Sequence, residues 1–269
     1  MNGESLLSVS LSVDYAGRRD VLREAAFAVE PGEIFGLVGQ SGSGKSTVIL
    51  SVLKLLQYKG GTARGTIHFL GRDLMRSSER DMRQIRGREI GFIPQSPVAA
   101  LNPALRLSVQ FEQFWRLHAS ASKAAMEQRL LPLLGQVGRP ADQAFRQRYP
   151  RELSVGRAQR VLIAMAVMHR PRLLIADEPT SSLDAITTSE GLKLLLDLNR
   201  QLGMGILFIS HDLLSVASFC HRIAILHEGQ IVECETPELL FRRPRHPYSQ
   251  RLLAAIPRLS LEDPAAISV

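Results

Sequence analysis

A chain of 269 residues, 45% of them apolar, has ample material for one large core or two, which excludes a disordered or fibrous protein. The net charge of +7 is carried mainly by scattered arginines, with lysine only at 45, 54, 59, 123 and 193, so it reads as a solvated surface and not as a nucleic-acid patch. The longest apolar run, 161–168, is far short of a membrane span, and the first residues lack a basic stretch followed by an apolar one, so the chain is expected to be neither secreted nor membrane-spanning on its own. Cys220 and Cys234 are too few and too loosely spaced for a zinc or iron–sulfur site, and both are expected to be buried packing residues.

In chain order, Val9, Leu11 and Val13 alternate with serines, the pattern of a half-buried strand that ends in a turn at 14–17, where Tyr15 sits. A second strand is expected over 26–29, a turn at Pro31-Gly32, and a buried strand over 34–38. Next comes Gly39-Gln40-Ser41-Gly42-Ser43-Gly44-Lys45-Ser46-Thr47, which fits the phosphate-loop pattern of Gly, four residues, Gly, Lys and then Ser or Thr. The helical run 47–56 follows it, so the loop lies between strand and helix as its mechanism requires. Glycines let the backbone wrap phosphates with its N–H groups turned inward, the helix dipole faces the anion, Lys45 adds a full charge, and Ser46 offers a hydroxyl to Mg²⁺. Gly60-Gly61 closes that element; a strand over 65–70, a turn at 71–73, a short polar helix over 78–86 and a strand over 90–93 come next, and Pro94 stops the last just before Gln95.

From 96 to about 170 the strand pattern vanishes, and helical spacing predicts helices over 107–118, 123–137 and 156–169, with Pro97, Pro103, Pro140 and Pro150 marking boundaries. Alternation then resumes: strand 173–176, helix 185–202, strand 205–209, helix 211–220 and strand 223–226. That order implies an α/β protein with a mainly parallel sheet covered by helices on both faces. A turn at 228–230 leads into 231–233, closing a small hairpin, and a Pro-rich segment runs on from 236.

Asp177 and Glu178 end an apolar strand, at the edge where ligands of open parallel sheets bind. In such a Walker B arrangement Asp177 reaches Mg²⁺ through its water shell, and Glu178 is placed to orient and deprotonate the water that attacks the γ-phosphate. Gln95 offers a neutral amide to the metal and that water, and His211 sits at another strand's C-terminal end.

In this order Tyr15, the phosphate loop, Gln95, the stretch from Leu153 through Ser154, Val155, Gly156 and Arg157 to Arg160, Asp177-Glu178, Ser181-Ser182-Leu183-Asp184 and His211 make nearly the whole chain resemble the nucleotide-binding subunit of an ABC transporter. Leu101-Asn102-Pro103, His246-Pro247-Tyr248 and Leu252-Leu253-Ala254-Ala255-Ile256-Pro257 resemble its oligopeptide, dipeptide and nickel import branch. The resemblance implies a phosphate-loop core with a mainly parallel sheet, a small N-terminal antiparallel region and a helical subdomain, divided as core 1–95 with 171–235, signature subdomain 96–170 and extension 236–269. It implies further that Tyr15 stacks on adenine, that residues 39–47 and Asp177 hold ATP and Mg²⁺, that Ser46, Gln95 and Asp177 are the metal's neighbours, that Gln95 senses nucleotide for the membrane subunits, and that His211 contacts the γ-phosphate. Two such subunits sandwich two ATP molecules, with Ser154, Gly156 and Asp184 facing the nucleotide across the dimer.

One departure stands out: Val155 replaces the first glycine of the signature, and Arg157 follows. A β-branched residue resists a positive φ and close backbone approach, so the motif is expected to present its donors less well. The expected function is the ATPase of an importer at the cytoplasmic face of the inner membrane, working with two membrane-spanning permease subunits, a second, related ATP-binding subunit and a solute-binding protein, without nucleic acid. Peptide, nickel or a metal chelate is the solute. The rival readings are an ATPase of the same type acting on ribosomes or DNA, and a subunit that holds ATP without hydrolysing it; Glu178 and His211 speak against the second.

Overall fold

The computed structural model describes residues 5–119, 122–138, 142–181 and 183–256; Pro140, Ser182 and Pro257, with the rest of the extension to 269, lie outside them. The chain forms two compact units, one made of the residues up to Ser78 with those from Gly205 onward, the other of Glu79–Met204.

The first unit holds β1 (Leu7–Tyr15), β2 (Arg18–Val29), β3 (Ile34–Val38), β4 (Gly61–Phe69) and β5 (Arg72–Asp73). Strands β1, β2, β4 and β5 form an antiparallel sheet in the order β2-β1-β4-β5, with Leu7 opposite both Val29 and Phe69. Alternation along β1 buries Leu7, Val9, Leu11 and Val13, as the sequence pattern requires. Strand β2 starts at Arg18, well before the apolar run at 26–29, because pairing with β1 holds its polar first half in the ladder. The same pairing starts β4 at Gly61 instead of 65.

The second unit contributes β6 (Ile90–Ile93) and β7 (Leu173–Asp177), a parallel pair with Ile90 opposite Leu173 and Ile93 opposite Ala176. Three later strands, β8 (Gly205–Ser210), β9 (Arg222–His227) and β10 (Gln230–Glu235), return to the first unit. There β3 pairs in parallel with β8 on one side and β9 on the other. Parallel neighbours on both edges mark β3 as a central strand of a parallel sheet, the kind covered on both faces, which is why Ile34–Val38 is apolar without alternation and buried throughout. Gly36 is required in it, since a Cβ there would come within 2.3 Å of Val216 Cγ1. Strand β10 adds antiparallel to β9, with Gln230 opposite His227.

The helix after the phosphate loop runs over Lys45–Val52 and stops earlier than expected, where Lys54 takes a φ of 51° and a short 3-10 turn follows at Leu56–Lys59. In the second unit the helices Leu107–His118, Lys123–Gln136 and Val155–Val167 match the periodicity, and short ones at Pro97–Ala100 and Gln143–Arg146 were too brief to register in it. The helix Ala185–Leu202 matches the sequence reading and ends at Gly203, φ 62°.

One segment that the sequence left without elements is filled in here, and one expectation is corrected. The Pro-rich segment after 236 folds into helices Pro237–Arg242 and Pro247–Ala254, with proline at the first helical position of each, where its missing N–H costs nothing. Cys220 is buried, but Cys234 is exposed: in β10 the inward place beside it belongs to Glu233, whose carboxylate accepts from the backbone N–H groups of Arg245 at 2.8 Å and His246 at 3.1 Å.

Candidate functional site

In the first unit the phosphate loop leaves β3 and enters the helix Lys45–Val52. Gly42 and Gly44 take φ values of 82° and 112°, and a Cβ on Gly44 would meet Leu22 Cδ2 at 2.6 Å. Gly39 has no room either: its Cβ would lie 2.4 Å from Leu226 O and 2.5 Å from Ser43 Oγ. Lys45 is only 7% exposed, and its ammonium donates to Gly39 O at 2.6 Å and Gln40 O at 3.1 Å, so the charge lies across the loop. The helix's N-cap is Gly44, with no side chain to satisfy the first N–H groups, and the first turn carries no acid. Ser43 Oγ is buried with no hydrogen-bond partner in the protein. A buried ammonium, an uncapped helix start and an orphaned hydroxyl together suit a polyphosphate. Ser46 is exposed beside them, as are Gln40 and Ser41.

Tyr15, half-buried at the end of β1, reaches the same helix through a 3.3 Å hydrogen bond between its hydroxyl and Thr47 Oγ1. His211, exposed, follows the last residue of the buried strand β8, and Asp212 after it caps the helix Leu213–Phe219 by accepting from Leu214 N at 3.1 Å.

In the second unit β7 is buried through Ala176 and delivers Asp177 and Glu178 half-buried at its end. Glu178 has a φ of 44°, a left-handed conformation that a residue with a Cβ adopts at a cost, and Ser181 stabilises the turn by donating its N–H (3.2 Å) and its hydroxyl (3.1 Å) to Glu178 O. Because β6 lies parallel beside β7, Gln95 just past the end of β6 comes level with Glu178, and its Nε2 donates to Glu178 Oε2 at 2.8 Å. The sequence reading named both residues but not this contact, for nothing in a one-dimensional pattern shows which strands are neighbours.

The signature stretch opens the helix Val155–Val167. Ser154 is its N-cap, at φ −68°, and accepts from Arg157 N at 3.4 Å. No residue from 154 to 157 has a positive φ, so Val155 meets no left-handed strain at this helix start. What Val155 does is expose an apolar side chain, 38% accessible, at the helix start. Gly156 is the crowded position, since a Cβ there would sit 3.0 Å from Thr187 Cγ2. Thr187 in turn donates its N–H (3.0 Å) and hydroxyl (2.8 Å) to Asp184, the N-cap of the helix Ala185–Leu202, and these bonds hold the Asp184 carboxyl below its ordinary value. Thr187, which the sequence reading passed over, thus links Gly156 to Asp184.

A strand, phosphate loop and helix with a buried lysine, together with a buried strand ending in Asp-Glu, define a P-loop nucleoside triphosphatase. The model of the ABC transporter family matches residues 22–181. Over 254 residues the chain is 40% identical to the dipeptide transport ATP-binding protein DppD of Escherichia coli (strain K12), covering 94% of this chain and 77% of that one. It is 42% identical over 246 residues to the oligopeptide transport ATP-binding protein OppD of Bacillus subtilis (strain 168), covering 91% and 69%. Among solved structures, the dimeric post-hydrolysis state of the ATP-binding cassette MJ0796 bound to ADP and Pi superposes with a TM-score of 0.74 at 26% identity, covering 86% of this chain and 98% of that one. The chain therefore belongs to the ABC transporter family, as one of its ATP-binding, ATP-hydrolysing members. Among the described residues no helix is long and apolar enough to cross a membrane.

Proposed function

We propose that the chain is the ATPase of a peptide importer, coupling ATP hydrolysis to uptake through two separate membrane-spanning subunits fed by a solute-binding protein. Relatives named for dipeptide and oligopeptide transport support peptide over nickel or a metal chelate, and support import over work on nucleic acid. The observation that carries the mechanism is the 2.8 Å hydrogen bond from Gln95 to Glu178. Lys45 and the N–H groups of residues 39–47 hold the phosphates, and Tyr15 stacks on adenine. Glu178 accepts the proton of a water whose oxygen attacks the γ-phosphorus, and His211 contacts the phosphoryl oxygens as the bond to ADP breaks. Gln95, bonded to the base, reports the state of the γ-phosphate to a membrane subunit. Ser46, Gln95 and Asp177 offer the hydroxyl, amide and carboxylate oxygens that a hard cation prefers, so Mg²⁺ belongs with them; when bound it neutralises charge developing on the phosphates.

The division into a core of 1–95 with 171–235, a signature subdomain of 96–170 and an extension from 236 belongs to the same proposal, as does a peripheral position at the cytoplasmic face of the inner membrane. So does a second ATP-binding subunit, a paralogue whose signature faces this chain's phosphate loop while Ser154, Gly156 and Asp184 face the paralogue's nucleotide. Vesicles reconstituted with the membrane subunits and binding protein should take up labelled dipeptide only when ATP is supplied. Uptake of nickel ion in place of peptide, or ATPase activity raised by RNA or DNA and not by membrane subunits, would overturn the reading.

A further inference from the structure

The sequence His246-Pro247-Tyr248, which the chemistry above leaves unused, begins the last described helix, and each of its residues has a local reason. The His246 ring caps the helix, its Nδ1 accepting from Tyr248 N at 3.1 Å, and Pro247 follows at the first helical position. Tyr248 turns inward, 5% exposed, and lies parallel on the His227 ring with centroids 3.6 Å apart and planes 11° from each other. Glu233 holds the segment in place through the backbone N–H groups of Arg245 and His246. Burial pushes that carboxyl up, but the neighbouring Ser249 hydroxyl, the two N–H groups and the Arg245 charge outweigh it and keep Glu233 below its ordinary value.

His227 ends β9, and the turn that follows runs against the phosphate loop. Leu226 O is the atom that leaves no space for a Cβ on Gly39, and Gly229 N donates to Ser43 O at 3.2 Å. The turn is tied from its other side by Arg23, whose N–H donates to Gly229 O at 2.8 Å and whose Nη2 donates to Glu228 O at 2.7 Å. The Tyr248 hydroxyl itself is buried without a hydrogen bond, near the Gln40 amide but not paired with it, so the ring makes the contact that matters.

We propose that Tyr248 is a positioning residue of the ATP site: its ring, stacked on His227, holds the turn at 226–229 against Gly39 and Ser43 and so keeps the phosphate loop in the shape that accepts nucleotide. The proposal rests on this loop being the ATP site. The test is the split between KM and kcat for ATP in the assembled complex, with binding of a fluorescent ATP analogue to the full chain alongside. Tyr248→Leu should raise KM roughly five-fold or more while kcat at saturating ATP stays within about two-fold. Tyr248→Phe, which keeps the ring, should restore the wild-type KM. Should Tyr248→Leu fail to fold, His227→Ala against His227→Phe carries the same contrast, the first raising KM and the second not. A lower melting temperature with an unchanged KM in both Tyr248→Leu and His227→Ala would reduce the stack to plain packing and overturn the proposal, and so would a Tyr248→Phe as impaired as Tyr248→Leu. Lys45→Ala in the same assay keeps the foundations apart, because undiminished analogue binding there would show that the loop is not the ATP site at all.

Discussion

Two glycine-containing stretches of this chain open helices, and they are built on opposite principles. At the phosphate loop the N-cap is Gly44 at φ 112°, with no capping side chain, a buried lysine next to it and a hydroxyl without a partner. At the signature the N-cap is Ser154 at φ −68°, which satisfies the N–H of Arg157 with its own side chain and leaves Val155 exposed. The first is a backbone held in a form that only glycine takes at no cost, with no side-chain cap on its helix and a Ser43 hydroxyl without a partner in the protein. The second is an ordinary capped helix start. The glycines of the two motifs are therefore not equivalent: Gly44 is demanded by its φ, and Gly156 by the space beside it. This difference explains how a valine stands where the family usually has glycine without distorting the chain.

The largest expected effect tests the chemistry beside this contrast. Glu178→Gln should slow turnover in the assembled complex by about two to four orders of magnitude with ATP affinity kept, the range of lost general-base help; single-turnover rates at saturating ATP measure it, and an unchanged rate would remove Glu178 from that role. Lys45→Ala should weaken ATP binding by about 10- to 100-fold, the worth of a charge-assisted hydrogen bond in a buried place. Equilibrium binding of a fluorescent analogue reads that loss directly.

A paired exchange bears on the comparison most closely. Gly44→Val must adopt a left-handed φ and push Leu22 Cδ2 away from 2.6 Å, so it should cost about ten-fold or more in ATP affinity. Val155→Gly changes a residue already at helical angles and should shift ATPase activity by no more than about three-fold, in line with a surface exchange. Similar effects from the two would erase the distinction.

The smallest effect concerns the second unit alone. His118 and His169 lie with rings 5.3 Å apart beside Phe114, and burial first, then the charges of Arg88 and, for His169, also of His118 and Arg129, lower both below the ordinary 6.5. The unfolded chain then takes up protons before the folded one does, so the unit should be at full stability above about pH 6.5 and lose some as the pH falls below it. Urea midpoints at a series of pH values would show the slope. It should flatten in His118→Gln, and a slope that persists unchanged would assign it to other groups.

Local sequence was sufficient for everything in this protein that depends on nearest neighbours along the chain. The phosphate loop, the buried runs of β3 and β7, the long helices and the acids of Asp177-Glu178 are legible because composition and period act over a few residues. Strand lengths were not, since polar residues such as Arg18 and Thr62 are held extended by hydrogen bonds to β1 and not by their own preference. The prolines at 237 and 247 sit in a Pro-rich segment without helical periodicity, and the caps at Thr236 and His246 make them helix starts. Only the folded chain places Gln95 on Glu178, 83 residues away in sequence, or Tyr248 on His227 behind the phosphate loop. Those contacts are set by which strands lie side by side and by what each turn packs against, and that is decided by burial and pairing across the whole chain, beyond the reach of any local pattern.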